Sequence, residues 1–212
     1  LGLEDQVSKL GVRPGAYVFR LHDTGEVIQE FALSAEHERQ HGAPYVQLHR
    51  ADLHELLAEA ARKLKPDLIH LNRRVTGFTE TDKEVTLHFA DGTKATGDVL
   101  VGADGLKSTI AHQIVGEVAA TYTGDGAWRI TVPVERLPKP FLPQVMSVFM
   151  GPGGHAVCYY LRGGALLNFV GIIETELASE ESWTQKFPWE LLKKDYEGWH
   201  PAIQTIIDAT DR

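Results

Sequence analysis

Asp98-Val-Leu-Val-Gly-Ala-Asp-Gly-Leu-Lys-Ser108 is the stretch on which the fold class turns. The continuous apolar run Val99-Leu100-Val101 predicts a strand buried on both faces of a parallel or mixed sheet. Gly102-Ala103-Asp104-Gly105 then reads as a sharp turn, and Ser108 to Val115 as a helix. Such a junction presents backbone N–H groups and a carboxylate at the C-terminal end of a strand, where ligands of open α/β sheets bind, and its chemistry suits a dinucleotide. In isolation the same residues also describe an ordinary strand-to-helix turn in which Asp104 only caps the helix.

Upstream of this stretch, Leu1, Leu3, Val7 and Leu10 fall at roughly helical spacing and Gly11 supplies a stop. Ala16 to Leu21 and Val27 to Leu33 flank Asp23-Thr24-Gly25-Glu26, the pattern of a β-hairpin. From Asp52 to Lys65, the positions Leu53, Leu56, Leu57, Ala60, Ala61 and Leu64 share one helical face, and Pro66 ends it. Leu68 to Leu71 and Arg74 to Thr79 read as short strands. Val85, Leu87 and Phe89 alternate with Thr86 and His88 before the turn Asp91-Gly92, which predicts a meander.

Downstream, three runs read as strands: Gln144 to Met150, His155 to Leu161 and Ala165 to Ile173. Only Gly151-Pro-Gly-Gly154 and Arg162-Gly-Gly164 separate them, and turns that short require antiparallel neighbours. Pro188 to Glu197 and Pro201 to Ala209 each begin with proline near the first position of a predicted helix.

A formal net charge of -8 over 212 residues would repel a phosphate backbone, so nucleic acid and anionic membrane surfaces are poor partners and small molecules better ones. The single Cys158 excludes an intramolecular disulfide, in keeping with a cytoplasmic location. No apolar run reaches the length of a membrane span. A start without Met in the last turns of a helix points to a fragment of a longer protein.

The strand, turn and helix at Asp98–Ser108 look like the Asp-Gly motif of flavoprotein hydroxylases of the p-hydroxybenzoate-hydroxylase fold. Upstream, His49-Arg50-Ala51-Asp52-Leu53 resembles the family's arginine-containing segment at the start of a helix. Further along, Gly151-Pro-Gly-Gly-His155, Tyr160-Leu-Arg-Gly-Gly164, Leu167-Asn-Phe-Val170 and Trp199-His-Pro201 resemble consecutive segments of salicylate hydroxylases. In this order they make the chain similar to the central part of an FAD-dependent aromatic-ring monooxygenase.

The resemblance implies an α/β (mixed α+β) fold in which part of a Rossmann-like FAD-binding domain, residues 1–15 and 45–120, is interleaved with a largely antiparallel substrate domain, residues 16–44 and 121–180. Residues 181–212 would lead back to the FAD domain, and the hairpin at 16–33 would join the later strands. FAD and NAD(P)H are the implied cofactors and a small phenolic ring, such as a salicylate-like compound, the implied substrate. Arg50, Asp104 and Gly105 are expected to contact FAD, and His155 to lie beside the substrate hydroxyl as its proton acceptor. Two departures stand out. Ala111 occupies the place of the family's arginine, and the stretch holds neither a Gly-x-Gly-x-x-Gly on a leading strand nor the family's later Gly-Asp segment.

His37-Glu-Arg-Gln-His41 matches H-E-x-x-H, which on a helix places two imidazoles for zinc with the glutamate as base. Gly42 and Pro44 follow at once and no third ligand is at a recognised spacing, so an exposed helix end is the expectation and no metal site is assigned. Gly151 to Ala156 fits the glycine pattern of dinucleotide folds, but a strand follows it and the pattern reads as a turn. Tyr159, Tyr160 and Arg162 are candidates to line the substrate pocket, with alternation allowing only one tyrosine to face it. Trp183, Trp189 and Trp199 read as packing residues, and Asp5, Glu180 and Glu181 as solvated charge. The alternatives to a monooxygenase are a non-catalytic binding module of this fold and a zinc hydrolase through His37 and His41.

Overall fold

The computed structural model describes residues 2–33, 35–116, 121–176 and 185–210. In chain order its elements are α1 (Glu4–Leu10), β1 (Ala16–Leu21), β2 (Val27–Ala32), α2 (Ala35–His41), α3 (Arg50–Leu64), β3 (Val75–Glu80), β4 (Val85–Phe89), β5 (Lys94–Gly97), α4 (Thr109–Val115), β6 (Asp125–Pro133), β7 (Met146–Gly151), β8 (Gly154–Leu161), β9 (Leu166–Glu174), α5 (Trp189–Asp195) and α6 (Pro201–Asp208). They group into two compact units, residues 1–57 with 122–212, and residues 58–121.

The first unit is built on a six-stranded sheet in the order β2-β1-β7-β8-β9-β6. The β1–β2 hairpin joins the later strands through a parallel pairing of β1 with β7, while every other pair is antiparallel. Gly151 and Gly154 close the β7–β8 hairpin, so the glycine pattern there is a turn. The strand β6 was not expected from the sequence. Its burial alternates, with Gly126, Trp128, Ile130 and Val132 less exposed than Ala127, Arg129 and Thr131, as period 2 requires.

One face of this sheet carries the core. Val132, Phe149, Ala156, Cys158, Leu167 and Phe169 form a single buried cluster with Leu192 of α5, Tyr196, Trp199, and Ile203, Ile206 and Ile207 of α6. The helix α6 begins with Pro201 at its first position, where a missing N–H costs nothing, and His200 Nδ1 accepts from the Ala202 N–H. Trp189 packs against the cluster, as the sequence implied for it and for Trp199, whereas Trp183, Glu180 and Glu181 lie outside the described residues. A glycine is required at 171, because a Cβ there would stand 2.1 Å from the Tyr196 hydroxyl.

The second unit holds the antiparallel meander β3-β4-β5 with α4 beside it. Gln113 of α4 donates to the Phe78 carbonyl at 2.6 Å and accepts from its N–H at 2.9 Å. Gly77 permits that approach, since a Cβ would lie 2.8 Å from Gln113 Oε1.

Two predicted strands are absent. Residues 98–102 run without a ladder partner, with Val99 and Val101 79% and 80% exposed, and residues 68–71 are likewise irregular, with Leu71 71% exposed. An apolar run becomes a strand only where neighbours take up its backbone hydrogen bonds, and no described segment does so here. The turn after it keeps its predicted form: Gly102 lets Ile110 approach to where a Cβ would be 2.7 Å from Ile110 Cγ2. The helix α3 forms as its periodicity predicts.

Candidate functional site

The face of the six-stranded sheet opposite the core is where the predicted catalytic histidine lies. Along β8, Ala156 and Cys158 are buried in the core cluster, so His155, Val157 and Tyr159 project from the other side. His155 sits between Met150 of β7 and Ile172 of β9, Val157 between Val148 and Val170, and Tyr159 beside Asn168. Tyr160 points the opposite way and donates to the Leu142 carbonyl at 2.7 Å, so Tyr159 is the tyrosine of the open face.

Around Tyr159 this face is aromatic. Tyr17 stacks on Phe19 at 5.4 Å, Phe19 meets Phe31 edge-on at 6.1 Å, and Tyr45 reaches Met146 Sδ at 3.8 Å. Burial raises the Tyr159 phenol pKa, and Tyr45 and Tyr17 raise it further while Arg129 opposes them. Arg129 extends from β6 opposite Val170 and is the cation that sequence reading missed, because β6 itself was missed. Cys158 is fully buried on the core side, and burial pushes its thiol far above the ordinary range, which removes it as a nucleophile.

Arg50 opens α3. Two residues on, Asp52 takes a two-pronged ion pair from Arg162, at 2.8 Å from Nε to Oδ2 and 2.6 Å from the terminal nitrogen to Oδ1. Arg162 therefore does not line the substrate face as the sequence suggested. Its side chain is committed to a carboxylate 110 positions away. Nearby, the side-chain amide of Gln47 and Nδ1 of His49 are buried without a hydrogen-bond partner.

The Arg162 hydrogen bond and charge, with a smaller contribution from His49, hold the Asp52 carboxyl below its usual value. A lowered carboxylate pKa stabilises the fold above the ordinary carboxylate range, about pH 4, and that contribution is lost as pH falls through the lowered value. The stability difference between wild type and Asp52→Asn should thus be full above the ordinary carboxylate range and fade as pH falls through the lowered Asp52 pKa, which urea titrations from neutral into acid pH would reveal.

In the second unit the predicted Asp104-Gly105 turn is present. Asp104 accepts from the Ser108 hydroxyl and from the Ile110 N–H at 3.2 Å, and Ser108 Oγ accepts from the Ala111 N–H at 2.9 Å. Asp104 therefore braces the start of α4, and these hydrogen bonds, Ser108's first, lower its pKa. Ala111, the place where the resemblance implied an arginine, contributes only its N–H to this cap. Gly105 has a φ of 82° with open space around its Cα, and the N–H groups of Gly105, Leu106 and Lys107 make no hydrogen bond among the described residues. Successive unpaired N–H groups in such a turn fit an anion such as a pyrophosphate. A depression of about 560 Å³ reaches the same motif, lined by Gly102, Ser108, Ile110 and Ala111 together with Lys83 and the acidic Glu80, Asp82, Glu84 and Asp98, whose carboxylates would oppose an anion placed inside it. Ser108→Ala should cost about 1 kcal/mol through loss of the cap, read as a lower urea midpoint.

His37 and His41 share the exposed α2 with ring centroids 4.4 Å apart. Among the described residues no group of three or more His, Cys, Asp or Glu side chains converges on a possible metal position. No helix among them is long and apolar enough to cross a membrane.

The chain thus combines a six-stranded mixed sheet that has a core face and an aromatic face with a three-stranded antiparallel sheet, a mixed α/β fold. The chain belongs to the FAD binding domain family, whose pattern it matches over residues 1–201. It is 29% identical over 99% of its length to 6-hydroxynicotinate 3-monooxygenase of Pseudomonas fluorescens, and 36% identical over 99% to 3-amino-4-hydroxybenzoate 2-monooxygenase of Streptomyces cremeus. It spans 54% and 51% of those proteins, about half of each. Among solved structures, HpxO of Klebsiella pneumoniae complexed with FAD and uric acid superposes with a TM-score of 0.80 at 24% identity, covering 98% of this chain and 51% of that one. A salicylate hydroxylase substrate complex gives 0.74 at 22% identity, covering 99% and 55%. These likenesses bear out the mixed α/β fold expected from the sequence.

Proposed function

We propose that the chain supplies the substrate face and part of the cofactor site of an FAD-dependent monooxygenase that hydroxylates a phenolic or related aromatic ring, a salicylate-like acid for example, using NAD(P)H and O2. The observation that carries this reading is the placement of His155 and Tyr159 on the open sheet face of a chain from the FAD binding domain family. Residues 16–44 and 121–180 form the substrate part, 1–15 and 45–120 the FAD part, and 181–212 the segment leading back to it. FAD, when bound, supplies the redox chemistry, with electrons from NAD(P)H and oxygen from O2.

The residues present suit that cofactor. In the first unit Arg50, with the buried unpartnered amide of Gln47 three residues before it, offers polar contacts, and in the second unit the N–H groups at Gly105 offer an anion cradle next to Asp104. On the substrate side, the Cα atoms of His155 and Tyr159 are about 13 Å apart along β8, with Val157 between them. A single ring resting on Val157 and Val170 meets both side chains. His155 takes the proton of the ring hydroxyl, which raises electron density at the positions ortho and para to it and favours attack by an electrophilic oxygen. Tyr159 and Arg129 face an anionic substituent at the far end of the ring. The hydroxylated aromatic acids that name two of the relatives have that bipolar form.

Incubating the intact protein with NAD(P)H, labelled O2 and a panel of hydroxybenzoates and hydroxynicotinates tests the reading. One labelled oxygen atom should enter the ring of at least one acid. Steady NAD(P)H consumption with no labelled product from any of them would refute it.

A further inference from the structure

We infer that Arg162 is a positioning residue for the cofactor segment: its ion pair with Asp52 fixes the first turn of α3, and with it Arg50, against the end of the substrate strand β8. The inference rests on the proposed role of Arg50 in holding FAD.

Backbone geometry makes the case first. Arg162, Gly163 and Gly164 have φ values of 51°, 62° and 94°, three consecutive residues in the left-handed region. Glycine occupies such positions without steric cost, and a long side chain with a Cβ does not. An arginine held there is retained for what its side chain reaches. That target is the Asp52 carboxylate, bonded through two guanidinium nitrogens at 2.8 Å and 2.6 Å, the planar match that lysine cannot make. Surface ion pairs are usually weak, but Asp52's side chain is only 14% exposed and this pair is two-pronged.

A second observation ties the pair to a ligand. Gln47, 5% exposed and three residues before Arg50, has both its side-chain amide atoms buried without a hydrogen-bond partner, whereas Nδ1 of His49 faces the Asp52 carboxylate at 3.8 Å. Buried polar groups are nearly always satisfied, so this segment presents hydrogen-bonding capacity that the described residues do not use. The clamp thus holds in place the approach to α3 along which the Gln47 amide awaits a partner. It also links that segment to the strand that ends at Leu161 and carries His155 and Tyr159.

Arg162→Gly in the intact protein separates positioning from bulk stability, because glycine relieves the backbone while removing the guanidinium. The thermal midpoint of the apoprotein should stay within a few degrees of wild type, while the Kd for FAD, read by quenching of flavin fluorescence, rises about tenfold. Asp52→Asn should give a similar rise, and the double variant should be no worse than either single one, as expected for partners in one contact. Arg162→Lys, which keeps the charge without the planar fork, should fall between wild type and Arg162→Gly. Unchanged FAD affinity in Arg162→Gly beside normal binding by wild type would overturn the clamp alone. Failure of wild type to bind FAD at all would overturn the proposed role of Arg50 and the clamp with it.

Discussion

His155→Gln in the intact protein is expected to lower the rate of ring hydroxylation by about 100- to 10,000-fold, the range that one positioned proton acceptor contributes. Reduction of the flavin by NAD(P)H should persist, since that step needs no proton from the substrate hydroxyl. The two half-reactions, followed separately by stopped-flow absorbance, divide the outcomes. Glutamine keeps a hydrogen-bonding group between Met150 and Ile172, so substrate affinity should change far less than the hydroxylation rate. Consumption of NAD(P)H uncoupled from product is the expected signature. An unchanged hydroxylation rate would remove His155 from the mechanism.

Tyr196→Ala should destabilise the first unit by about 3 to 5 kcal/mol, lowering the thermal midpoint by roughly 10 °C. Tyr196 is fully buried, meets Phe169 and Trp199 edge-on at 5.3 and 4.8 Å, and fills the space above Gly171. Its hydroxyl lies 3.4 Å from the carbonyls of both His155 and Ile172, so the ring backs the strand pair that carries the proposed proton acceptor. Those bonds are long, and Tyr196→Phe should cost under about 1.5 kcal/mol. Differential scanning calorimetry of the two variants side by side tests whether the ring or the hydroxyl matters.

The parts of this site that follow from period and local turn chemistry were legible in the sequence. Leu53, Leu56, Leu57, Ala60, Ala61 and Leu64 define α3, and the alternation along β8 puts His155 and Tyr159 on one side with Cys158 on the other. Ser108 and Asp104 read as a helix start and form one. The misreadings have physical causes. Residues 98–102 are apolar, but hydrophobicity alone does not supply a hydrogen-bonded neighbour. In β6, Trp128, Ile130 and Val132 alternate with Arg129 and Thr131, a period-2 signal that the sequence does carry and that brings Arg129 with it. That the β1–β2 hairpin joins the later strands came from resemblance to a family rather than from the residues, and its parallel partner β7 was not foreseen. The Arg162–Asp52 bond joins positions whose proximity no local pattern encodes.

The visible absorption spectrum of the intact protein, taken after gel filtration alongside its intact mass, tests the central claim most directly. Oxidised-flavin bands that stay with the protein, or that return when FAD is added to stripped apoprotein, are the predicted result. A folded, colourless protein of the expected mass that takes up no added FAD would contradict the account.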